Sequence, residues 1–406
     1  MCGMEPEKAN RTCVMSDLER WVQTGDEEVA VVGEAVRRNQ LSGKTPALLE
    51  FEQAWRVWTG ARYAVSVFNG TMALYSAYFA LGVRPGDEVI CPVNTWICSI
   101  SPAVMLGATP VFCDIDPETL LMDPADVARR ITPRTRCICA VHLWGNVCNM
   151  PALAAVAGKV PIVEDCSHAP GARYDGVMCG TMGAVGCWSL QQSKPVSAGE
   201  GGVLVTNSAD LYERACFLGQ TNRLRSDDIQ LTNLAGYGPL GLGMKLRAHP
   251  LGLAVGNVQM HKFPALNRRR RAYVEAVEAG LSKIPGLHPL SRCPLGERSG
   301  FYAFPVIHDP SAMGGMSTAD FVREVNACGV PAIRERFPLL HRLPLFAEGT
   351  EMVPALTPGQ YLGYKPGQFP NAEHAQERTV FLPVLSDPVP EAVDAILGVL
   401  DEVARR

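Results

Sequence analysis

Short apolar runs alternate with stretches of helical period between residues 61 and 207. ARYAVSVF (61–68), PGDEVICPV (85–93), TPVFCDID (109–116), RCICAVHLWG (136–145), PIVEDC (161–166), AVGCWSL (184–190) and GGVLVTN (201–207) each hold a brief apolar core. Gly, Pro, Asn or Asp bounds most of them, as expected for buried strands. LLEFEQAWRVWTG shows helical spacing and ends at Gly60. Asn69-Gly70-Thr71 opens a helix, MALYSAYFALG, that closes at Gly82; a further helix is expected from Thr95 to Gly107 and another in PALAAVAGK (151–159). Strands alternating with helices predict an α/β protein with a mostly parallel sheet covered by helices.

The texture changes after about residue 260. An Arg-rich helix (262–283) leads into LHPLSRC and FYAFPVIHD, then into the helices TADFVREVNACG and PEAVDAILGVLDEVARR. This predicts a large domain over residues 1–260, beginning with a frayed start and a helical segment, and a smaller C-terminal α+β domain over 261–406. No internal repeat or low-complexity tract interrupts the chain.

Composition narrows the picture. The 406 residues are 47% hydrophobic and 19% charged, enough for a large core and against disorder. A formal net charge of −4 argues against a nucleic-acid binder. The one basic run, Arg268–Arg271, reads as a solvated helix face. The N-terminus lacks an apolar signal core and no apolar run reaches membrane-spanning length, so a soluble, cytoplasmic protein is expected. The 14 cysteines include no CxxC pair, and the closest two, Cys137 and Cys139, lie in an apolar strand. They read as buried thiols, and no metal site is expected.

In parallel sheets ligands gather at the carboxyl ends of the strands, and several chemically capable residues fall there. Lys194 lies in a polar, glycine-rich turn, WSLQQSKPVSAGEGG (188–202). Its amine suits a Schiff base with an aldehyde cofactor, of which pyridoxal 5′-phosphate is the commonest. Asp165, ending PIVED, is placed to keep the ring nitrogen of such a cofactor protonated; taken alone it reads first as a helix N-cap. Gly70 and Thr71 open a helix directly after a strand and so present free N–H groups to a phosphate, with Ser189 on the same rim. Trp96 offers a stacking face, although core packing explains a lone tryptophan as well. His168 offers a hydrogen bond to the ring oxygen, or is simply a satisfied polar group. The order and common placement of these residues carry more weight than any one of them.

VEDCSHAPGARYDG, GCWSLQQSKPVSAGEGGVLVTN, FNGTMALYSAYFALGVRPGDEVICPVNTW, VHLWGN, FPLLHRLPLF and FLPVLSD together resemble the DegT/DnrJ/EryC1/StrS family of sugar aminotransferases, across most of the chain. The resemblance implies a fold-type I pyridoxal-phosphate enzyme and an obligate homodimer with active sites between subunits. It implies Lys194 as the Schiff-base lysine, Asp165 as partner of the pyridine nitrogen, and His168 as ligand of the ring oxygen. Trp96 matches the stacking aromatic, and Gly70, Thr71 and Ser189 match phosphate ligands. Gln191, in SLQQSK, resembles the cyclitol and amino-sugar antibiotic branch. One departure stands out. In GMKLRAHPLG (243–252) Lys245 occupies the place of an asparagine that reaches the neighbouring subunit's cofactor phosphate, where it would act as a point charge or meet an anionic substrate.

The implied reaction moves an amino group from an amino acid (glutamate, glutamine or alanine) to a keto-sugar or keto-cyclitol, in natural-product or surface-sugar biosynthesis. Elimination, oxidation or condensation on the same cofactor is an alternative, as is an inactive regulatory homologue. Lys194 and Asp165 are both retained, which argues against loss of catalysis. No GxGxxG or P-loop supports a nucleotide-binding reading.

Overall fold

The computed structural model describes residues 23–223, 230–358, 361 and 363–406; the expected frayed start at 1–22 lies outside them. The central sheet has seven strands: β1 (Tyr63–Val67), β2 (Glu88–Pro92), β3 (Thr109–Cys113), β4 (Thr135–Val141), β5 (Ile162–Asp165), β6 (Val185–Ser189) and β7 (Gly202–Thr206). Their spatial order is β1-β7-β6-β5-β4-β2-β3. The ladder from β6 through β5, β4 and β2 to β3 is parallel, and β7 alone runs against its neighbours β1 and β6. The expected mostly parallel α/β sheet is therefore present, with every strand in its expected segment.

Helices cover both faces. α1 spans Asp26–Arg37 and α2 spans Pro46–Thr59. Thr45 caps α2 by accepting from the Leu48 N–H, Pro46 supplies a preset first turn, and Gly60 ends it in the left-handed region (φ 79°). α2 buries Phe51 and Trp55, and Trp55 packs on Trp188 of β6 at 4.9 Å between ring centroids. α3 (Gly70–Ala80) is apolar nearly all round and is buried between the sheet and the helix over 209–219.

The Arg-rich helix differs from expectation in length. It is one helix, α4, from Pro250 to Leu281. Gly252 and Gly256 weaken helical signal in its first turns, but packing requires them. A Cβ on Gly252 would lie 2.9 Å from the Ala198 carbonyl oxygen, and one on Gly256 would lie 2.9 Å from the Phe51 ring. Position 260/261 falls inside this helix. Leu253 and Phe263 join the core that also holds Phe51 and Trp55, whereas Tyr273, Val274, Val277 and Leu281 join a second core. That second core packs against the antiparallel sheet of β8 (Leu287–Pro289), β9 (Phe304–His308) and β10 (Thr379–Leu382), with α5 (Thr318–Ala327) and α6 (Ala392–Ala404). The segment expected to form one helix from Thr95 to Gly107 is instead a 3-10 turn at Ile97–Ser99 followed by a short helix at Ser101–Met105.

The reading of Arg268–Arg271 as a solvated face needs correction. Arg270 donates to the Ser386 hydroxyl and the Gly300 carbonyl, Arg271 donates to the Arg298 carbonyl, and Arg269 pairs with Asp387 at 3.0 Å. The run clasps the loops that lead into and out of the second sheet. No helix among the described residues is long and apolar enough to cross a membrane.

Candidate active site

The carboxyl ends of β1, β2, β5 and β6 open onto one cavity of about 430 Å³, a size suited to a small-molecule site. Gly70, Thr71, Trp96, Asp165, His168, Ser189, Gln191 and Lys194 all line it. Only Lys245, of the residues singled out in the sequence, does not. Its backbone bridges to Gln220 and its side chain is exposed.

Close backbone approach builds one wall. Asn69 caps α3 by accepting from the Met72 N–H at 2.9 Å. A Cβ on Gly70 would lie 2.6 Å from the Ser189 Cβ, and one on Gly202 would lie 2.3 Å from the Asn69 carbonyl oxygen. The two glycines thus let the start of α3 press against the ends of β6 and β7. The free N–H groups of the α3 first turn and the Thr71 and Ser189 hydroxyls share this wall.

Asp165 is buried at the end of β5. Its Oδ2 accepts from the Ser99 hydroxyl at 2.8 Å, and its Oδ1 accepts from the Ser167 N–H at 3.1 Å. Ser99 is itself held: its hydroxyl lies 3.0 Å from that of Thr95, and its carbonyl accepts from the Tyr78 phenol. No local pattern marks this run of hydrogen bonds, because Ser99 sits in a segment read as plain helix.

Lys194 follows a tight turn in which its N–H donates to the Gln191 carbonyl at 2.8 Å. Gln191 Oε1 is taken up locally, accepting from the Ser193 N–H and hydroxyl. Burial holds the Lys194 amine below its ordinary pKa, with the Arg336 charge adding to the effect and Tyr302 and Asp165 opposing it. Lys194 Nζ lies 4.0 Å from the centroid of the Tyr302 ring. The other face of the site is aromatic: His168 stacks on Tyr302 with centroids 3.9 Å apart and planes 17° from parallel. Burial and the two nearby cations, Lys194 and Arg336, push His168 well below the usual histidine range, so its ring is neutral. Its Nδ1 is buried with no hydrogen-bond partner among the described residues. Trp96 stands at the mouth, 53% exposed, edge-on to Phe337. Exposure of a tryptophan at this level excludes simple core packing.

Tyr302, Arg336 and Phe337 complete the lining from beyond residue 260. Sequence reasoning missed all three. FYAFPVIHD carries only the texture of the smaller C-terminal part, and nothing in RERFPLL ties it to a cavity built from residues 69–200. The second part of the chain thus closes the site opened by the first.

One buried cluster resembles a metal site. His142, Glu164 and Cys179 offer ligand atoms within 4.8 Å of one another. Glu164 already accepts from the N–H groups of Gly180, Met182 and Gly183 at 2.6–2.8 Å, and from His142 Nε2 at 3.0 Å. His142 Nδ1 accepts from the Cys148 N–H, so the ring is the neutral tautomer. These bonds tie the 178–183 turn to β5 and leave the carboxylate saturated. The other described cysteines are buried except Cys98 and Cys328.

Comparison with known proteins follows the same lines. The profile described as the DegT/DnrJ/EryC1/StrS aminotransferase family matches residues 22–401. An L-glutamine:2-deoxy-scyllo-inosose aminotransferase of Streptomyces paromomycinus is 32% identical over 352 residues, covering 81% of this chain and 79% of that protein. The GDP-perosamine synthase of Escherichia coli O157:H7 is 32% identical over 275 residues, covering 66% of this chain and 72% of that protein. Among solved structures, the aminotransferase from Psychrobacter cryohalolentis superposes with a TM-score of 0.85 at 26% identity, covering 95% of this chain and 98% of that one. With the profile matched over nearly its whole length, the chain belongs to the DegT/DnrJ/EryC1/StrS aminotransferase family.

Proposed function

We propose that the cavity binds pyridoxal 5′-phosphate and transfers an amino group from an amino acid, L-glutamine first among them, to a keto-cyclitol or keto-sugar. One observation carries the reading: Lys194 and Asp165 line the same cavity as the glycine-supported helix start at Gly70 and Thr71. The fit is supported by a buried His168 Nδ1 without a partner and by a wall too close for any Cβ at Gly70.

In this reading Thr71, Ser189 and the first N–H groups of α3 hold the phosphate. Asp165, oriented by Ser99 and the Ser167 N–H, keeps a proton on the ring nitrogen. Neutral His168 hydrogen-bonds the ring oxygen, and Trp96 covers a ring face. When bound, the cofactor supplies an electron sink for the carbanion formed at the donor α-carbon. Lys194 anchors the cofactor. With the cofactor bound, its free Nζ would take the donor's α-proton as general base and would return a proton as acid. A pKa lowered by burial favours the unprotonated amine that anchoring and proton abstraction need. Tyr302, Phe337 and Trp96 keep water from the reacting carbon. Lys245 is assigned to a second subunit's cavity in a homodimer, since it stands away from its own.

The large and small domains, 1–260 and 261–406, meet within α4 in this reading. The relatives named above act on a deoxy-inosose and make a GDP-sugar, which favours a cyclic keto-polyol acceptor. The test is spectroscopic. Cofactor-loaded protein mixed with L-glutamine, L-glutamate or L-alanine loses its visible absorbance with one of them. The Lys194→Ala protein does not turn over. If no amino acid bleaches the wild-type protein, transamination is excluded.

A further inference from the structure

The cavity contains a cation that the proposed chemistry leaves without a task. Arg336 lines it, projecting from the loop after α5. Its guanidinium carbon stands 4.9 Å from the centroid of the Tyr302 ring, the ring that also lies under Lys194 Nζ at 4.0 Å. The two positive groups therefore border one aromatic plate. Arg336 makes no ion pair among the described residues, and its charge together with that of Lys194 lowers the pKa of the Tyr302 phenol. Neighbouring Glu335 is engaged elsewhere, accepting from Gln376 at 2.7 Å. The cavity's own acids are Asp165, committed to Ser99 and Ser167, and Glu200, which is exposed.

We propose that Arg336 binds the α-carboxylate of the amino donor. The inference rests on the aminotransferase reading and deepens it. In any α-amino acid the carboxylate carbon is two bonds from the nitrogen that replaces Lys194. An anion-binding group must then stand beside the lysine amine, on the side where donor atoms enter. Among the described lining residues Arg336 is the only permanent cation, because Lys194, the other basic side chain, is the amine that reacts. Its planar fork matches a carboxylate with two parallel hydrogen bonds, which a lysine cannot supply. The Tyr302 face beneath it restricts the guanidinium to few orientations and lowers the ordering cost. A cyclitol acceptor carries no charge, so the same arginine discriminates donor from acceptor in a cavity that must take both in turn. The other anion that could meet Arg336 is the diphosphate of a nucleotide-linked acceptor.

The experiment uses cofactor-loaded full-length protein and three probes. α-Methyl-L-glutamine has no α-proton and binds without turnover. 4-Aminopentanamide is the same molecule without its carboxylate. Uridine diphosphate reports phosphate binding. Dissociation constants come from the visible spectrum for the first two and from calorimetry for the third. Arg336→Gln is expected to weaken α-methyl-L-glutamine by about 10- to 100-fold and to leave 4-aminopentanamide unchanged. Arg336→Lys is expected to fall between, because it keeps the charge and loses the fork. Equal loss for both amines, or loss for uridine diphosphate alone, overturns the assignment, as does failure of the wild-type protein to prefer the carboxylate probe. Because α-methyl-L-glutamine has no α-proton, and the 4-aminopentanamide constant is read from the spectrum on first mixing, the outcome is separate from the bleaching test. Carboxylate selectivity that depends on Arg336, in a protein that no amino acid bleaches, upholds the site and removes the transaminase reading.

Discussion

At the scale of single residues, the proposed cofactor site brings hydroxyl groups together with the lysine. Asp165 is useful only if it stays where a ring nitrogen would meet it, and Ser99 fixes one of its two oxygens at 2.8 Å. Ser99→Ala removes that bond and leaves the Thr95 hydroxyl without its neighbour. A loss of about 1–1.5 kcal/mol is expected, read as a five- to tenfold weaker equilibrium binding of pyridoxal phosphate to apoprotein. The melting temperature of the apoprotein should change little. Unchanged cofactor affinity would mean that the Ser167 N–H alone positions the carboxylate.

At the scale of elements, α2 is pinned to the central sheet by polar bonds as well as by its core contacts. Glu52 on α2 accepts from both the N–H and the hydroxyl of Ser66 on β1, at 2.8 Å each, and pairs with Arg223 through both guanidinium arms. Glu52 and Ser66 are buried. Glu52→Ala strands a guanidinium and a strand N–H away from water, so a loss of about 3–5 kcal/mol is expected in denaturant unfolding. Glu52→Gln keeps an acceptor for Ser66 and should cost less. Equal stability of wild type and Glu52→Ala would show that water replaces the carboxylate at this junction. α4 illustrates the same point in apolar form, because its glycines are explained by what lies across from them and not by helix propensity.

For the whole molecule, pH couples to stability through buried histidines. His308, at the end of β9, is fully buried, stacked on Phe321 and bonded through Nδ1 to Thr318 at 3.0 Å. Burial and the Arg378 charge, against a smaller pull from Asp309, bring its pKa down from 6.5 to about 4. The unfolded chain takes up this proton first. Stability attributable to His308 is therefore intact above pH 6.5 and is lost as pH falls toward 4, by about 2–4 kcal/mol at the end of that window. His308→Gln should be less stable than wild type at pH 7.5 yet lose less between pH 6.5 and 4, as read by urea midpoints. Parallel curves for the two proteins would remove His308 from the acid limb. His168, its pKa also pushed down by burial and by the nearby Lys194 and Arg336, has the same sign.

Much of this architecture was written in local pattern. Seven short apolar runs bounded by turn residues marked seven strands, because a buried parallel sheet needs continuous apolar segments and leaves no other use for them. Strand-end placement then gathered Gly70, Thr71, Trp96, Asp165, His168, Ser189, Gln191 and Lys194 into one cavity, since parallel strands direct their carboxyl ends to one edge of the sheet. Tertiary structure decided the rest. The extent of α4 was hidden by glycines that exist for the sake of Phe51 and Ala198. The arginine run was hidden because its partners are main-chain carbonyls, which carry no signature in a sequence. Tyr302 and Arg336 reach the cavity from loops beside β9 and α5, far along the chain from Lys194. Sequence pattern is periodic and local, so it fixed the elements and the edge of the sheet where chemistry belongs. Contacts between distant segments depend on packing geometry, and they alone placed the second cation beside the lysine.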